Sequence, residues 1–135
     1  MPLPALRYRA SGGSNTLAAD GRARPLVVLF DTHCGHCAYE FAQMDRQLSR
    51  FAGTHLYLLT AEDSLSMRDV ARRWPLLATS PNVTWAMVDA AAFRRVFGPL
   101  VTPAIYVFDA RGRLERTFHG ETRIELLVSP MTSAN

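Results

Sequence analysis

Cys34 and Cys37 are the residues of this chain whose type and spacing predict chemistry. They are the only two cysteines in the sequence, and Gly35 and His36 separate them. Two thiols at this spacing can close into a disulfide and open again by exchange with another disulfide. The pattern predicts a redox-active dithiol, with electrons passing between cysteine pairs and no small-molecule cofactor.

The residues on either side place this pair at a turn from a strand into a helix. Leu26 to Phe30 is an apolar run typical of a buried strand, and residues 38–51 contain no Gly or Pro to interrupt a helix until Gly53, a plausible helix stop. One apolar stripe runs along this helix at three- and four-residue steps: Cys37, Phe41, Met44, Leu48 and Phe51. Cys37 is therefore expected to face the core. Cys34 is expected at the exposed first turn, where unpaired N–H groups and the helix dipole favour a thiolate.

This placement assigns catalytic roles to three residues. Cys34 is the candidate nucleophile and Cys37 the resolving thiol that releases a mixed disulfide. His36 lies between them in sequence. When protonated it would place a positive charge beside the sulfurs, and when neutral it could donate a hydrogen bond to the Cys34 thiolate.

Length and composition restrict the class of protein further. A chain of 135 residues with 48% hydrophobic composition suits a single domain, residues 1–135, with a core of about residues 26–128 and an N-terminal hairpin in residues 1–25. The net charge of +3 comes from scattered arginines and no lysine, which argues against a nucleic-acid partner. No stretch is apolar over enough residues to predict a transmembrane segment.

The remaining pattern predicts strands alternating with helices. Strands are expected at residues 55–59, 83–88, 104–108 and 114–118, and helices at 34–50, from Ser64 to Trp74, at 89–97 and at 124–128. Pro75 is expected to end the second helix. This alternation, closed by a hairpin, predicts an α/β fold with a mixed central sheet flanked by helices on both faces.

The dithiol after a strand, together with Val101-Thr102-Pro103-Ala104 before a later strand, resembles the thioredoxin superfamily. The resemblance spans residues 26–127. The extra strand and helix between the two motifs, and the N-terminal hairpin, are similar to the TlpA-like bacterial thiol–disulfide oxidoreductases. The resemblance implies a thioredoxin-like fold and thiol–disulfide exchange.

The resemblance also implies substrate-binding residues. In this superfamily the proline that matches Pro103 is cis and lies beside the nucleophilic cysteine, and the backbone of the preceding residue, here Thr102, pairs with the substrate chain. Gly35 and His33, which flank Cys34 in the sequence, are further candidate substrate contacts. No metal site is part of this expectation.

The chain departs from the thioredoxin pattern at two positions. His33 stands where thioredoxins usually have Trp, and Val28 stands where they have a buried carboxylate that serves the second cysteine. Asp31 and Glu40 are nearby acids, but Asp31 could simply cap the helix, and Glu40 is expected to lie off the apolar stripe of Cys37. The proton acceptor for Cys37 therefore stays open.

The resemblance leaves the direction of electron flow open as well. Cys-Gly-His-Cys is the motif of protein disulfide isomerase active sites and implies an oxidising couple, whereas TlpA-like relatives commonly work as reductases. The expected partners are a protein thiol or disulfide substrate and a redox partner protein, and the chain is expected to be a monomer. The resemblance implies a bacterial periplasm, with the cytoplasm as the alternative.

The sequence is also compatible with three alternative functions. His33, Cys34, His36 and Cys37 could bind zinc or copper, although zinc usually takes its ligands from two separated pairs. The fold could also serve as a binding module with an idle dithiol. A peroxidase is the most remote alternative, because the approach Asp31-Thr32-His33-Cys34 does not match the Thr/Ser-x-x-Cys pattern of that chemistry.

Overall fold

This computed structural model describes residues 1–129 of the chain, which contain seven β-strands and five α-helices. The strands are β1 Arg7–Ala10, β2 Gly13–Thr16, β3 Arg24–Leu29, β4 Thr54–Thr60, β5 Val83–Met87, β6 Ala104–Phe108 and β7 Leu114–His119. The helices are α1 Gly35–Arg46, α2 Ser64–Ala71, α3 Pro75–Thr79, α4 Ala90–Phe97 and α5 Ile124–Val128. A short 3-10 helix, Leu48–Phe51, follows α1.

All seven strands join one mixed sheet in the order β2-β1-β5-β4-β3-β6-β7. β3, β4 and β5 are parallel, whereas β6 pairs antiparallel with both β3 and β7. The N-terminal hairpin β1–β2 extends the other edge, where Arg9 pairs antiparallel with Met87 of β5. The predicted mixed sheet, with its N-terminal hairpin and its later hairpin β6–β7, is confirmed.

The central strand β3 is buried on both faces, as its apolar sequence predicts. Leu26 and Val28 face one hydrophobic core, and Val27 and Leu29 face the other. This alternation follows from the two-residue period of a strand, which turns successive side chains to opposite sides of the sheet. β3 therefore ends between two packed layers, and the turn that carries Cys34 starts from a rigid base.

The helices are distributed unequally over the two faces. The core under the first face takes its buried helical residues from four helices: Cys37, Phe41 and Met44 of α1, Met67 and Val70 of α2, Leu77 of α3, and Ile124 and Leu127 of α5. The core under the second face is closed by α4, through Phe93, and by the N-terminal segment, through Leu6, Tyr8 and Leu17. None of the helices in residues 1–129 combines the length and the apolar character needed to cross a lipid bilayer.

The first predicted helix is shorter than expected. α1 ends at Arg46, Gln47 leaves the helical conformation with φ −116° and ψ 27°, and residues 48–51 form the 3-10 helix. In a 3-10 helix, positions three apart lie directly above one another. Leu48 and Phe51 therefore still pack on the core, and Gly53 follows with the positive φ of +78° that ends the segment.

The second predicted helix is divided in two. α2 ends at Ala71, before the expected end at Trp74, and Pro75 begins α3. A proline is well placed at the first position of a helix, because the N–H it lacks would have no partner there. Two residues after Pro75, the N–H of Leu77 donates to Asp45 Oδ1 of α1 at 2.9 Å. The cap of α3 thus comes from another helix.

Candidate active site

Cys34 is carried by a short turn between β3 and α1. The turn closes with a hydrogen bond from the N–H of Cys34 to the carbonyl of Asp31 at 3.2 Å. Asp31 Oδ1 accepts the N–H of His33 at 2.9 Å. Asp31, which the sequence offers as a possible cap of α1, does not cap it, because the capping residue is Cys34 itself.

The sulfur of Cys34 accepts a hydrogen bond from the first turn of α1. The donor is the N–H of Cys37, and the distance is 3.2 Å. Backbone N–H groups at a helix N-terminus have no partner within the helix, and the helix dipole favours negative charge at this end. Cys34 is partly exposed, so its sulfur contacts the helix N-terminus and remains reachable from solvent.

Cys37 occupies a different environment three residues later. Its side chain is 2% exposed, as the apolar stripe predicts, and it packs in the core with Phe41. Burial, together with the neighbouring Cys34 sulfur, raises the pKa of the Cys37 thiol to about 12. Cys37 is therefore protonated at neutral pH, and it must lose a proton before it can attack.

The loop before β6 reaches the Cys34 sulfur. The antiparallel pairing of β3 with β6 sets Leu29 opposite Ala104, so the chain just before Ala104 lies beside the chain just after Leu29. The peptide bond between Thr102 and Pro103 is cis. The thiol of Cys34 donates to the carbonyl of Thr102 at 3.8 Å. The geometry thus brings together Cys34 and the predicted substrate loop.

Glu40 is a functional candidate that lies elsewhere than its position in the sequence predicts. The apolar stripe predicts that Glu40 lies off the face of Cys37, yet its side chain is completely buried. Positions 37 and 40 are three residues apart on one helix and share a face. Its Oε1 accepts the N–H of Thr122 at 2.6 Å, whereas Oε2 has no hydrogen-bond partner among residues 1–129.

The burial of Glu40 changes its acidity. Removal from water raises the pKa of this carboxyl to about 7, and the Thr122 N–H and the nearby Glu121 charge act on it in opposite senses. A carboxyl with a pKa near 7 exchanges its proton readily at neutral pH. Glu40 can therefore give or take a proton on the buried face that also carries Cys37.

His36 points away from the core and finds a partner far away in the sequence. Its side chain is 73% exposed, and its ring Nδ1 contacts the carboxylate of Glu121, which follows β7. The sequence suggested that His36 could donate a hydrogen bond to the Cys34 thiolate. In the structure, Nδ1 of the imidazole contacts Glu121, so the histidine that separates the two cysteines in sequence is paired with a carboxylate.

His33 belongs to a polar cluster on the other side of Cys34. Ligand atoms of Asp31, His33 and Glu62 lie within 4.8 Å of one another. Glu62 is held by Thr32, which donates both its N–H, at 3.0 Å, and its hydroxyl. Hydrogen bonding with Glu62 and with the His33 N–H lowers the pKa of Asp31. This trio could hold a metal ion, and it differs from the four residues weighed on sequence grounds.

A cavity of about 250 Å³ opens next to Cys34. His33, Cys34 and Gly35 form one part of its lining, and Arg73 and Trp74, at the C-terminal side of α2, form another. The predicted substrate contacts His33 and Gly35 thus line a space large enough for a side chain of a bound partner, whereas Thr102 and Pro103 lie in the loop beside the same sulfur.

Comparison with solved structures identifies the architecture. The structure matches a secreted Mycobacterium tuberculosis disulfide oxidoreductase homologous to E. coli DsbE, with a TM-score of 0.72, 14% identity and 92% of each chain covered. It matches StoA from Bacillus subtilis with a TM-score of 0.69 and 13% identity, covering 92% of this chain and 96% of that one. The fold is thioredoxin-like.

One further solved structure has the same fold, whereas comparisons of the sequence alone find no match. A thio-disulfide isomerase from Thermus thermophilus has the same thioredoxin-like fold, with a TM-score of 0.67 and 22% identity, and the match covers 93% of this chain and 89% of that one. No protein-family profile matches the sequence, and no curated protein matches it.

Within the thioredoxin-like fold, two of the site's acids were not singled out by sequence. Glu62 lies after β4 and accepts the N–H of Thr32 in the turn before Cys34, and Glu121 lies after β7 and contacts His36 in the first turn of α1. His36 and Glu121 are 85 positions apart, so no local pattern links them. Glu40 did carry a local signal, since a spacing of three residues places it on the face of Cys37.

Proposed function

We propose that this protein is a thiol–disulfide oxidoreductase, with Cys34 as the nucleophile and Cys37 as the resolving thiol. The observation that carries the proposal is the different treatment of the two sulfurs. Cys34 Sγ accepts a helix N-terminal N–H and is reachable, whereas Cys37 is buried and its pKa is raised to about 12. Cys34 is therefore suited to attack a partner disulfide, and Cys37 stays protonated until it is needed to resolve the mixed disulfide.

The reaction proceeds in two exchanges. The Cys34 thiolate attacks one sulfur of a partner disulfide, so a bond forms between Cys34 and that sulfur, and the partner's second sulfur leaves as a thiolate that takes up a proton. Cys37 then loses its proton and attacks Cys34. The mixed disulfide breaks, the partner leaves with both thiols reduced, and the two electrons it gained come from the Cys34 and Cys37 thiols, which are left joined as a disulfide.

Glu40 is the proposed acceptor of the Cys37 proton. It is buried on the same face of α1, its pKa is raised to about 7, and one of its oxygens has no hydrogen-bond partner in residues 1–129. A base with this pKa is ionised often enough at neutral pH to remove a proton, and it can return the proton in the reverse reaction. Glu40 would thus accept the proton of Cys37, whereas Val28 has no ionisable group that could do so.

The substrate is proposed to lie across the Thr102–Pro103 loop. The carbonyl of Thr102 is within reach of the Cys34 sulfur, which fits a partner chain that pairs with this backbone while its cysteine contacts Cys34. His33 and Gly35 would then contact the partner from the cavity side. Such main-chain pairing recognises an extended segment largely independent of its sequence.

The proposed partners are a protein disulfide or dithiol and a second redox protein that restores the dithiol or the disulfide. The proposed setting is the bacterial periplasm, and support comes from the likeness to a secreted disulfide oxidoreductase. The proposed subtype is TlpA-like, on the sequence features described above. Both directions of electron flow use the same two exchanges. The reduction potential of the pair decides which direction dominates.

The test is a trapping experiment with single-cysteine variants. Cys37→Ser leaves the nucleophile but removes the resolving thiol, so it should accumulate mixed disulfides with a model protein disulfide, visible on a non-reducing gel. Cys34→Ser is the matched control and should trap nothing. Absence of any adduct in Cys37→Ser, together with no reversible wild-type couple in glutathione buffers, would favour the metal-site or binding-module alternatives.

A further inference from the structure

Glu121 is the residue that contacts the histidine of the dithiol motif. His36 is the second residue of α1, one position before Cys37. Its Nδ1 meets the carboxylate of Glu121 in the loop after β7. An imidazole next to a reactive thiol owes its effect to its charge and orientation, and both depend on the group that binds the ring.

The loop that carries Glu121 is anchored on both sides. Before it, the N–H of Gly120 donates to the carbonyl of Pro103 at 2.8 Å. After it, the N–H of Thr122 donates to buried Glu40 Oε1 at 2.6 Å, and the Thr122 hydroxyl donates to the carbonyl of Gly120 at 3.1 Å. Glu121 is thus positioned between the substrate loop and α1, and its contact with His36 follows from fixed backbone.

The charge of Glu121 opposes that of a protonated His36. A positive charge beside Cys34 stabilises the thiolate, which belongs to the reduced form, and so makes the disulfide easier to reduce. A carboxylate on the imidazole offsets that positive charge. Protonated His36 alone would make the Cys34–Cys37 disulfide easier to reduce, and the carboxylate of Glu121 therefore weakens this effect.

We propose that Glu121 is a positioning residue that orients the imidazole of His36 and offsets its charge, thereby making the Cys34–Cys37 couple less oxidising than His36 alone would make it. The inference rests on the proposed function, since it concerns the potential of the same pair. It assigns a redox-tuning role to a residue outside the dithiol motif and outside the substrate loop.

The experiment measures the equilibrium with glutathione, in which two molecules of reduced glutathione reduce the Cys34–Cys37 disulfide and become one oxidised glutathione. Wild type, Glu121→Gln, His36→Asn and the double variant are compared at pH 6, where an unpartnered imidazole is largely protonated. Glu121→Gln should favour the reduced protein by about twofold to fivefold in the equilibrium constant, the range expected for one exposed ion pair. The same change in the His36→Asn background should have no effect.

Controls separate the inference from a general charge effect and from the proposed function. Glu125→Gln removes an exposed carboxylate on α5, near Arg50, and should leave the equilibrium unchanged. Glu121→Asp keeps a carboxylate and should stay closer to wild type than Glu121→Gln does. If Glu121→Gln leaves the equilibrium constant unchanged, the inference is wrong. It is also wrong if Glu121→Gln shifts the constant equally with and without His36, because the charge of Glu121 would then act directly on Glu40 or Cys34. If wild type has no reversible couple at all, the proposed function fails instead.

Discussion

The two sulfurs of this site are three residues apart and yet differ in the properties that govern thiol chemistry. Cys34 is partly exposed at a helix N-terminus, whereas Cys37 is 2% exposed in an apolar core. The sequence predicts this difference because it depends only on local periodicity: a residue at the first turn and a residue three positions later on the apolar stripe. The sequence therefore predicts which cysteine is exposed and which is buried before any tertiary contact is known.

Alkylation should distinguish the two thiols. With a pKa of about 12, Cys37 is ionised in only about one molecule in 100,000 at pH 7, and the thiolate is the reactive form. Brief treatment of the reduced protein with iodoacetamide should modify Cys34 and spare Cys37, as measured by peptide mass spectrometry. Both should react in urea-unfolded protein, and equal labelling in the native state would contradict the assignment.

Glu40 should make the stability of the protein depend on pH in an unusual sense. Its pKa is raised from an ordinary value near 4.3 to about 7, so between these values the folded state retains a proton that the unfolded state has lost. The free energy of unfolding should therefore fall as the pH rises from 4.5 to 7, by about 2 kcal/mol relative to a protein without this carboxyl.

Glu40→Gln is the variant that tests this, because the amide oxygen can still accept the N–H of Thr122. Urea denaturation of wild type and variant across this pH range gives the comparison, and Glu125→Gln serves as an exposed control. The stability of wild type relative to Glu40→Gln should fall with rising pH. Parallel pH profiles for the two proteins would show that the buried carboxyl is not held in its neutral form.

At the level of elements, helix ends were the features least accessible from sequence. Pro75 fits both the end of one helix and the start of another, and the sequence alone favours the first reading because the apolar pattern precedes it. The structure shows the second, since Asp45 of α1 supplies the acceptor that α3 needs. Whether a proline ends or begins a helix depends here on the side chain of Asp45, which lies 32 positions before Leu77, the residue whose N–H it accepts.

Asp45 should therefore stabilise a helix to which it does not belong. Asp45→Ala leaves the N–H of Leu77 without an acceptor and should lower the free energy of unfolding by about 1 kcal/mol. Asp45→Asn keeps a side-chain oxygen at the same place and should cost clearly less. Chemical denaturation of the three proteins measures this, and equal losses in both variants would show that the charge, and not the cap, matters.

At the level of the whole molecule, the central strands hold the site in place. Leu58 of β4 is completely buried between β3 and β5, whereas Leu65 of α2 is 70% exposed. Leu58→Ala should lower the free energy of unfolding by about 2–5 kcal/mol, since it removes apolar contact and leaves a cavity. Leu65→Ala should change it by less than about 0.5 kcal/mol. Guanidinium titration of both variants provides the measurement.

The fold was accessible from sequence to a greater extent than the site. Apolar runs and their alternation with helical segments predict the mixed sheet, because the hydrophobic periodicity of each strand and helix is visible in its own sequence. The contact between Thr102 and Cys34 was expected only through resemblance, and that between His36 and Glu121 was not expected at all. Such contacts depend on how strands pair across the sheet, and the residues involved carry no signal of one another.

The N-terminal hairpin has a consequence for the order of folding during synthesis. β1 joins the sheet through Arg9, whose partner is Met87 of β5, and Leu6 and Leu17 close the second core. On the ribosome, the hairpin emerges long before β5 exists, so it has no strand to pair with. β1 therefore docks on the sheet well after it is made, and a nascent chain stalled before residue 83 would leave the apolar side of this hairpin exposed.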